Sequence, residues 1–148
     1  MADQSTQSIV VEAPAADVMA VIADFAAYPT WVSAAKKVEV VETGADGRAE
    51  RVHFVIDAGI LRDDYVLAYT WHGAHQVSWS LVSSQLMKRQ EGSYTLEESD
   101  GRTTVTYAIT VDLAIPMIGL LKRKGEKLLL DTALKELKKH VEDKGGAS

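Results

Sequence analysis

The sequence predicts an α+β fold: a curved antiparallel sheet of about six to seven strands wrapped around a long C-terminal helix, with two short helices after the first strand. Three observations carry this expectation. Apolar and polar residues alternate with period two in successive stretches from Lys37 to Leu113. Tight-turn sequences separate those stretches, Asp46-Gly47 and Asp100-Gly101 among them. After Pro116 the alternation gives way to a helical pattern that continues to Lys144.

The elements follow in order. Gln7 to Glu12, with Ile9, Val10 and Val11, is the first strand, bounded by Pro14. Pro14 is expected just inside a helix start, where its missing N–H costs nothing. Val18, Val21, Ile22 and Phe25 then fall at i, i+3, i+4 and i+7, one apolar stripe of a short helix that Pro29 is expected to break. Thr30 to Ser33 reads as a second short helical turn anchored by Tyr28 and Trp31.

Val38, Val40 and Val41 begin the strands, and the turn Ala45-Asp46-Gly47-Arg48 leads into Arg51 to Asp57, with Val52, Phe54 and Ile56 on one face. After a break at Ala58-Gly59, Leu61 to Trp71 places Tyr65, Leu67, Tyr69 and Trp71 on one side. Past the turn His72-Gly73-Ala74-His75, Val77, Trp79 and Leu81 alternate with Gln76, Ser78 and Ser80. Lys88 to Glu97 and Thr103 to Leu113 complete the sheet. Consecutive strands with tight turns make an antiparallel meander. Without repeats or linkers, residues 1–148 are expected to form a single domain.

Composition narrows the function. Hydrophobic residues at 47% and charged residues at 25% are globular values. The formal net charge of −5 argues against a nucleic-acid partner. The local basic group Lys122, Arg123, Lys124 and Lys127 permits a membrane-contact reading, but in a chain of negative net charge it reads first as the solvated face of a helix. With no cysteine there is no disulfide, thiolate ligand or thiol nucleophile. Met1 to Ser8 lacks the apolar stretch of a secretory signal, and no apolar run approaches the roughly 18 residues that span a bilayer. A bacterial-type cytoplasmic protein without stable membrane insertion is expected. No Walker loop, dinucleotide fingerprint or Gly-x-Ser-x-Gly elbow occurs, so no cofactor is expected.

A pocket follows from the plan. The last helix presents Leu121, Leu128, Leu130, Leu134, Leu137 and Val141 inward, and one helix cannot fill both ends of a strongly bent sheet at close-packed density. The gap is expected near the helix's N-terminal half. Gly119 and Gly125 there fit a slender helix start at a cavity mouth, or close packing, or a kink between two helical pieces.

The run Ser8-Ile9-Val10-Val11-Glu12-Ala13-Pro14 leads into Val18-Met19-Ala20-Val21-Ile22-Ala23-Asp24 and Phe25-Ala26-Ala27-Tyr28-Pro29-Thr30-Trp31. Later come Gly92-Ser93-Tyr94 and Thr103-Thr104-Val105-Thr106-Tyr107. In this order, over nearly the whole chain, they resemble the START/Bet v 1-like (SRPBCC) superfamily in its bacterial polyketide cyclase/dehydrase-type branch, with the helix-grip fold. The resemblance implies a cavity for lipids, polyketides, quinones or similar apolar molecules. For the aromatase/cyclases of this fold it implies an arginine and hydroxyl groups in the pocket.

The candidate site residues follow. Trp31, Phe54, Ile56, Tyr69, Trp79, Leu81, Tyr94, Met117 and Leu121 are expected to line the ligand site. Trp79 sits on a clean alternating strand, Tyr94 follows a glycine that opens space, and Trp31 caps the entrance; such rings serve an ordinary core equally well. Arg62, His53 and Tyr94 are the catalytic candidates, Arg62 to polarise a carbonyl and His53 as general base if it faces inward. Solvent-facing side chains paired with nearby aspartates are the plainer alternative for the arginine. His72 and His75 flank a turn with no carboxylate cluster, so no metal site is expected.

Three functions remain: a carrier or sensor of a small hydrophobic ligand, a polyketide cyclase/dehydratase-type enzyme, and a protein-interaction module. An ionisable group inside the pocket favours the enzyme, an aliphatic and aromatic lining favours the carrier, and a large exposed apolar patch favours a protein partner.

Overall fold

A computed structural model describes residues 5–57, 62–113 and 119–146 of the chain, with side chains described outside 113, 119–126, 128–129 and 144–146. Seven strands form one antiparallel sheet: β1 (Ser5–Val11), β2 (Ala35–Thr43), β3 (Ala49–Asp57), β4 (Arg62–His72), β5 (Gln76–Ser84), β6 (Met87–Ser99) and β7 (Arg102–Leu113). Their order across the sheet is β1-β7-β6-β5-β4-β3-β2. Helices α1 (Ala15–Ala23) and α2 (Tyr28–Trp31) carry the chain from one edge to the other, and α3 (Gly119–Gly146) closes it.

Local chemistry explains most boundaries. At the β6–β7 hairpin Asp100 and Gly101 have φ of 54° and 76°, the two left-handed residues that a tight hairpin turn demands and that Asp-Gly supplies. Pro14 stands one residue earlier than its expected place. It is the N-cap of α1, in extended backbone, and Ala15 opens the helix. The expected break at Pro29 is also corrected. The chain leaves α1 at Asp24, passes through one 3₁₀ turn (Phe25–Ala27), and Pro29 lies inside α2. A proline in the first turn of a helix has no N–H bond to lose, so it starts α2 instead of ending α1. Phe25 keeps its inward position across the break and is buried.

α3 runs from Gly119 through Gly125 as one helix. It also extends through Gly145 and Gly146, beyond the expected end at Lys144. Its apolar stripe is real where described: Leu130, Leu134, Leu137 and Val141 are buried. That stripe lies on β1 and α1, and polar bonds fix it there. Lys138 Nζ donates to the Val10 carbonyl at 2.8 Å, the Glu12 N–H donates to Glu142 Oε2 at 2.9 Å, and Gln7 bonds Asp131. The helix thus covers an edge strand whose carbonyl would otherwise be open to another chain.

Strand parity divides the sheet into two faces. Val52, Phe54, Leu67, Val77, Trp79, Leu96, Val105, Tyr107, Ile109 and Val111 point inward and are buried. Ser78, Ser80, Thr70, Glu91 and Thr110 point outward. Among the described residues no helix is long and apolar enough to cross a membrane.

Candidate ligand-binding site

The inward face is aromatic because the register stacks like on like. Antiparallel pairing sets Phe54 opposite Tyr65, Tyr69 opposite Trp79, and Tyr94 opposite Tyr107. The rings meet at contact distances: Phe54–Tyr65 at 5.3 Å, Tyr69–Trp79 at 5.7 Å, Trp79–Tyr94 at 5.4 Å, Tyr94–Tyr107 at 4.7 Å. Phe25 and Tyr28 reach in from the helical crossover, Phe25 at 4.9 Å from Tyr69 and Tyr28 at 5.0 Å from Phe25. Each such pair adds about 0.5–1.5 kcal/mol beyond its burial.

Trp79 is locked in place by a missing side chain. Its ring lies over Gly92, the residue it faces across β5 and β6. A Cβ on Gly92 would stand 2.4 Å from Trp79 Cζ2. The glycine before Tyr94 was expected to open space, and it does not, because the indole fills that space. The indole N–H donates to Gln90 Oε1 at 2.9 Å, and Gln90 Nε2 reaches Met87 Sδ at 3.3 Å. Gln90 is a buried amide on this face and also bonds the Tyr65 phenol.

All five tyrosines of the chain are gathered here. Burial pushes the phenols of Tyr28, Tyr65, Tyr69, Tyr94 and Tyr107 above the ordinary tyrosine value. For all but Tyr107 the neighbouring phenols push further in the same direction, so the hydroxyls lie within electrostatic reach of one another. They stay neutral, and neutral phenols donate hydrogen bonds. Tyr28 uses its proton on the Ile22 carbonyl at 2.5 Å. Among the described residues one sealed side-chain polar atom lacks a partner, the indole nitrogen of Trp31, whose ring stacks on His140 of α3 at 5.5 Å.

The sequence matches the family model described as "Polyketide cyclase / dehydrase and lipid transport" over residues 3–142. The chain belongs to this polyketide cyclase/dehydrase and lipid transport family. Solved structures share its fold at low identity. A START superfamily protein from Mycobacterium smegmatis superposes with a TM-score of 0.88 at 20% identity, over 95% of this chain and 97% of that one. The Zhui aromatase/cyclase from Streptomyces sp. R1128 gives 0.81 at 15% identity, over 96% and 94%. A protein from Thermus thermophilus gives 0.80 at 22%, over 94% and 97%. No curated protein matches by sequence.

Within this family frame the candidates separate. Phe54 and Trp79 are buried on the inward face, and Ile56, Tyr69, Leu81 and Tyr94 are half-buried on it. Trp31, in α2, packs on Tyr28 at 5.0 Å. Met117 lies outside the described residues, as does the side chain of Leu121. The charged candidates face the other way. Arg62 is 76% exposed and pairs with Asp57 at 3.3 Å. His53 bonds Asp64 on the same outer face. The reason is parity: His53 and Asp57 alternate with Phe54 and Ile56, so the register that turns rings inward turns these groups out. Of the catalytic trio only Tyr94 reaches the interior.

Sequence reasoning passed over Gln90, Tyr65 and Tyr107 as site residues. Gln90 shares parity with Tyr94 and Leu96 along β6, and that signal was available. The outer face also bears a depression of about 470 Å³ lined by Thr70, His72, Ser78, Ser80, Glu91 and Ser93 among others. Its small hydroxyls face solvent, and Trp79 and Gly92 of the ring cluster also border it.

Proposed function

We propose that this chain binds a small hydrophobic ligand, of lipid, polyketide or quinone-like character, among the inward aromatic rings, as a carrier or sensor. The observation that carries the reading is the division of chemistry between the two faces. The inward face offers rings and neutral phenols, while Arg62 and His53, the groups a cyclase would need, are bonded to Asp57 and Asp64 on the outer face. Rings that pack on the core yet stay half-buried, as Tyr65, Tyr69 and Tyr94 do, are what a wall around an enclosed space looks like. Binding would come from burial, at about 0.8 kcal/mol per methylene removed from water, with a few polar groups setting orientation.

The family description and the likeness to the Zhui aromatase/cyclase keep an enzyme reading in view. The same experiment separates the two. Native mass spectrometry of the protein as purified, followed by denaturing extraction, is expected to release a stoichiometric apolar molecule. A carrier leaves an added ligand unchanged, whereas a cyclase or dehydratase returns it altered in mass or absorbance. An empty protein whose melting temperature does not move with fatty acids, quinones or aromatic polyketides would contradict the proposal.

A further inference from the structure

We propose that the open edge of β2 pairs antiparallel with the β2 edge of a second copy of this chain, about a two-fold axis at Val38, so that Lys37 of each copy meets Glu39 of the other. This surface is separate from the binding function proposed above and stands or falls without it.

The first support is a contrast between the two edges of the sheet, β1 and β2. α3 lies along β1, where Lys138 Nζ takes up the Val10 carbonyl at 2.8 Å. β2 has no such cover. Ala35 at its start is buried, but from Lys36 to Thr43 every residue is exposed except the half-buried Val38. Among the described residues four large hydrophobic side chains are exposed, and two of them, Val40 and Val41, are neighbours on this strand. An edge strand offers a row of backbone donors and acceptors, and apolar side chains beside it gain by being covered. With β1 under α3, a pair formed through β2 leaves no second bare edge among the described residues, so the assembly closes at two copies.

The second support is charge, which selects one register. Side chains directly opposite on antiparallel strands share a face, and a two-fold axis normal to the sheet preserves faces, so self-pairing must centre on a residue. β2 is irregular beside Lys36 and Val41, which leaves Lys37, Val38, Glu39 and Val40 as its regular stretch, opposite Val55, Phe54, His53 and Val52. Centred on Lys37 or on Glu39, self-pairing sets like charges face to face. Centred on Val40, it opposes Glu39 to Val41 and Lys37 to Thr43, and matches neither charge. Centred on Val38, it opposes Lys37 to the partner's Glu39 on both sides of the axis. Within one copy Lys37 Nζ stands 4.0 Å from Glu39 Oε2, with the side chains 62% and 55% exposed. That internal pair is worth little in water, so both charges are open to a second copy. The bulges keep the paired stretch short, and the expected dimer is therefore weak and salt-sensitive.

Sedimentation velocity of the full chain, from about 5 µM to about 500 µM at low salt, tests this. The weight-average sedimentation coefficient is expected to rise with concentration toward that of a dimer, and to fall back on addition of about 0.5 M salt. Lys37→Glu makes the regular stretch wholly acidic, and Glu39→Lys makes it wholly basic. Each is expected to weaken self-association about tenfold or more. An equimolar mixture of the two variants is expected to restore the dimer, because an acidic edge then meets a basic one. Both positions are exposed, and melting curves check that the variants fold. Wild-type chain that stays monomeric throughout overturns the pairing and leaves the edge to water or to a strand of another protein. Variants that associate as strongly as the wild type, or a mixture no better than its components, overturn it equally.

Discussion

The two faces of the one sheet carry opposite chemistry, apolar rings on one and hydroxyls and charges on the other. Residues 52, 54 and 56 of β3 are Val, Phe and Ile, while their neighbours 51, 53 and 55 are Arg, His and Val. On β4 and β5 the inward positions are Tyr69, Trp71, Val77 and Trp79, and the outward ones are Thr70, His72, Ser78 and Ser80. The inner face is held by ring contacts and by a fitted void at Gly92. The outer face is held by exposed ion pairs such as Arg51–Glu42 and Arg62–Asp57, each worth little in water. The comparison teaches where function can sit: a site that excludes water can be built on only one of these faces.

Breaking the inner face should cost most. Trp79→Ala removes an indole that contacts three tyrosines and bonds Gln90, and is expected to lower unfolding free energy by about 3–5 kcal/mol in denaturant titration. Gly92→Ala puts a methyl into the Trp79 ring and is expected to cost about 1–3 kcal/mol by the same assay.

Alkaline pH sharpens the comparison without mutation. All five phenols have folded-state values raised above their unfolded value of about 10, chiefly by burial. The stability this carries is fully present below about pH 10 and is lost as pH rises, because the unfolded chain then releases protons the folded chain retains. Tyrosinate absorbance is therefore expected to appear only together with loss of circular dichroism. Phenols that titrate near pH 10 in a folded protein would show the inner face to be wet.

The smallest effect belongs to the outer face. His53→Ala and Arg62→Ala are expected to change unfolding free energy by no more than about 0.5 kcal/mol and to leave ligand affinity unaltered. A large loss of binding in either would return catalysis to the outer face and undo the division.

How legible was this arrangement? Alternation along β3, β4, β5 and β7 foretold the inward residues, because burial on one face fixes parity. What one strand cannot encode is its neighbour's register. That Trp79 lies on Gly92, and that Tyr94 meets Tyr107, depends on pairing across β5, β6 and β7. The void at Gly92 therefore read as open space from the sequence. Arg62 and His53 were ambiguous because a break precedes β4, and the pairing of Asp57 with Arg62 resolves them. Gln90 hid in a polar stretch, Lys88 to Glu91, whose composition masks its inward parity. At α1, the apolar stripe located Phe25 correctly but not the turn that carries it, since an i, i+7 spacing survives a short 3₁₀ segment.

The most direct test of the account follows the ligand to a face. With fluorotyrosine at all five positions, fluorine NMR reports the inner face, and the ring protons of His53 and His72 report the outer one. On titration with menadione the account predicts that the resonances of Tyr69, Tyr94 and Tyr107 shift and saturate while both histidines stay fixed. Histidine shifts with five unmoved fluorines would contradict it, and would move the binding site to the hydroxyl-lined outer depression.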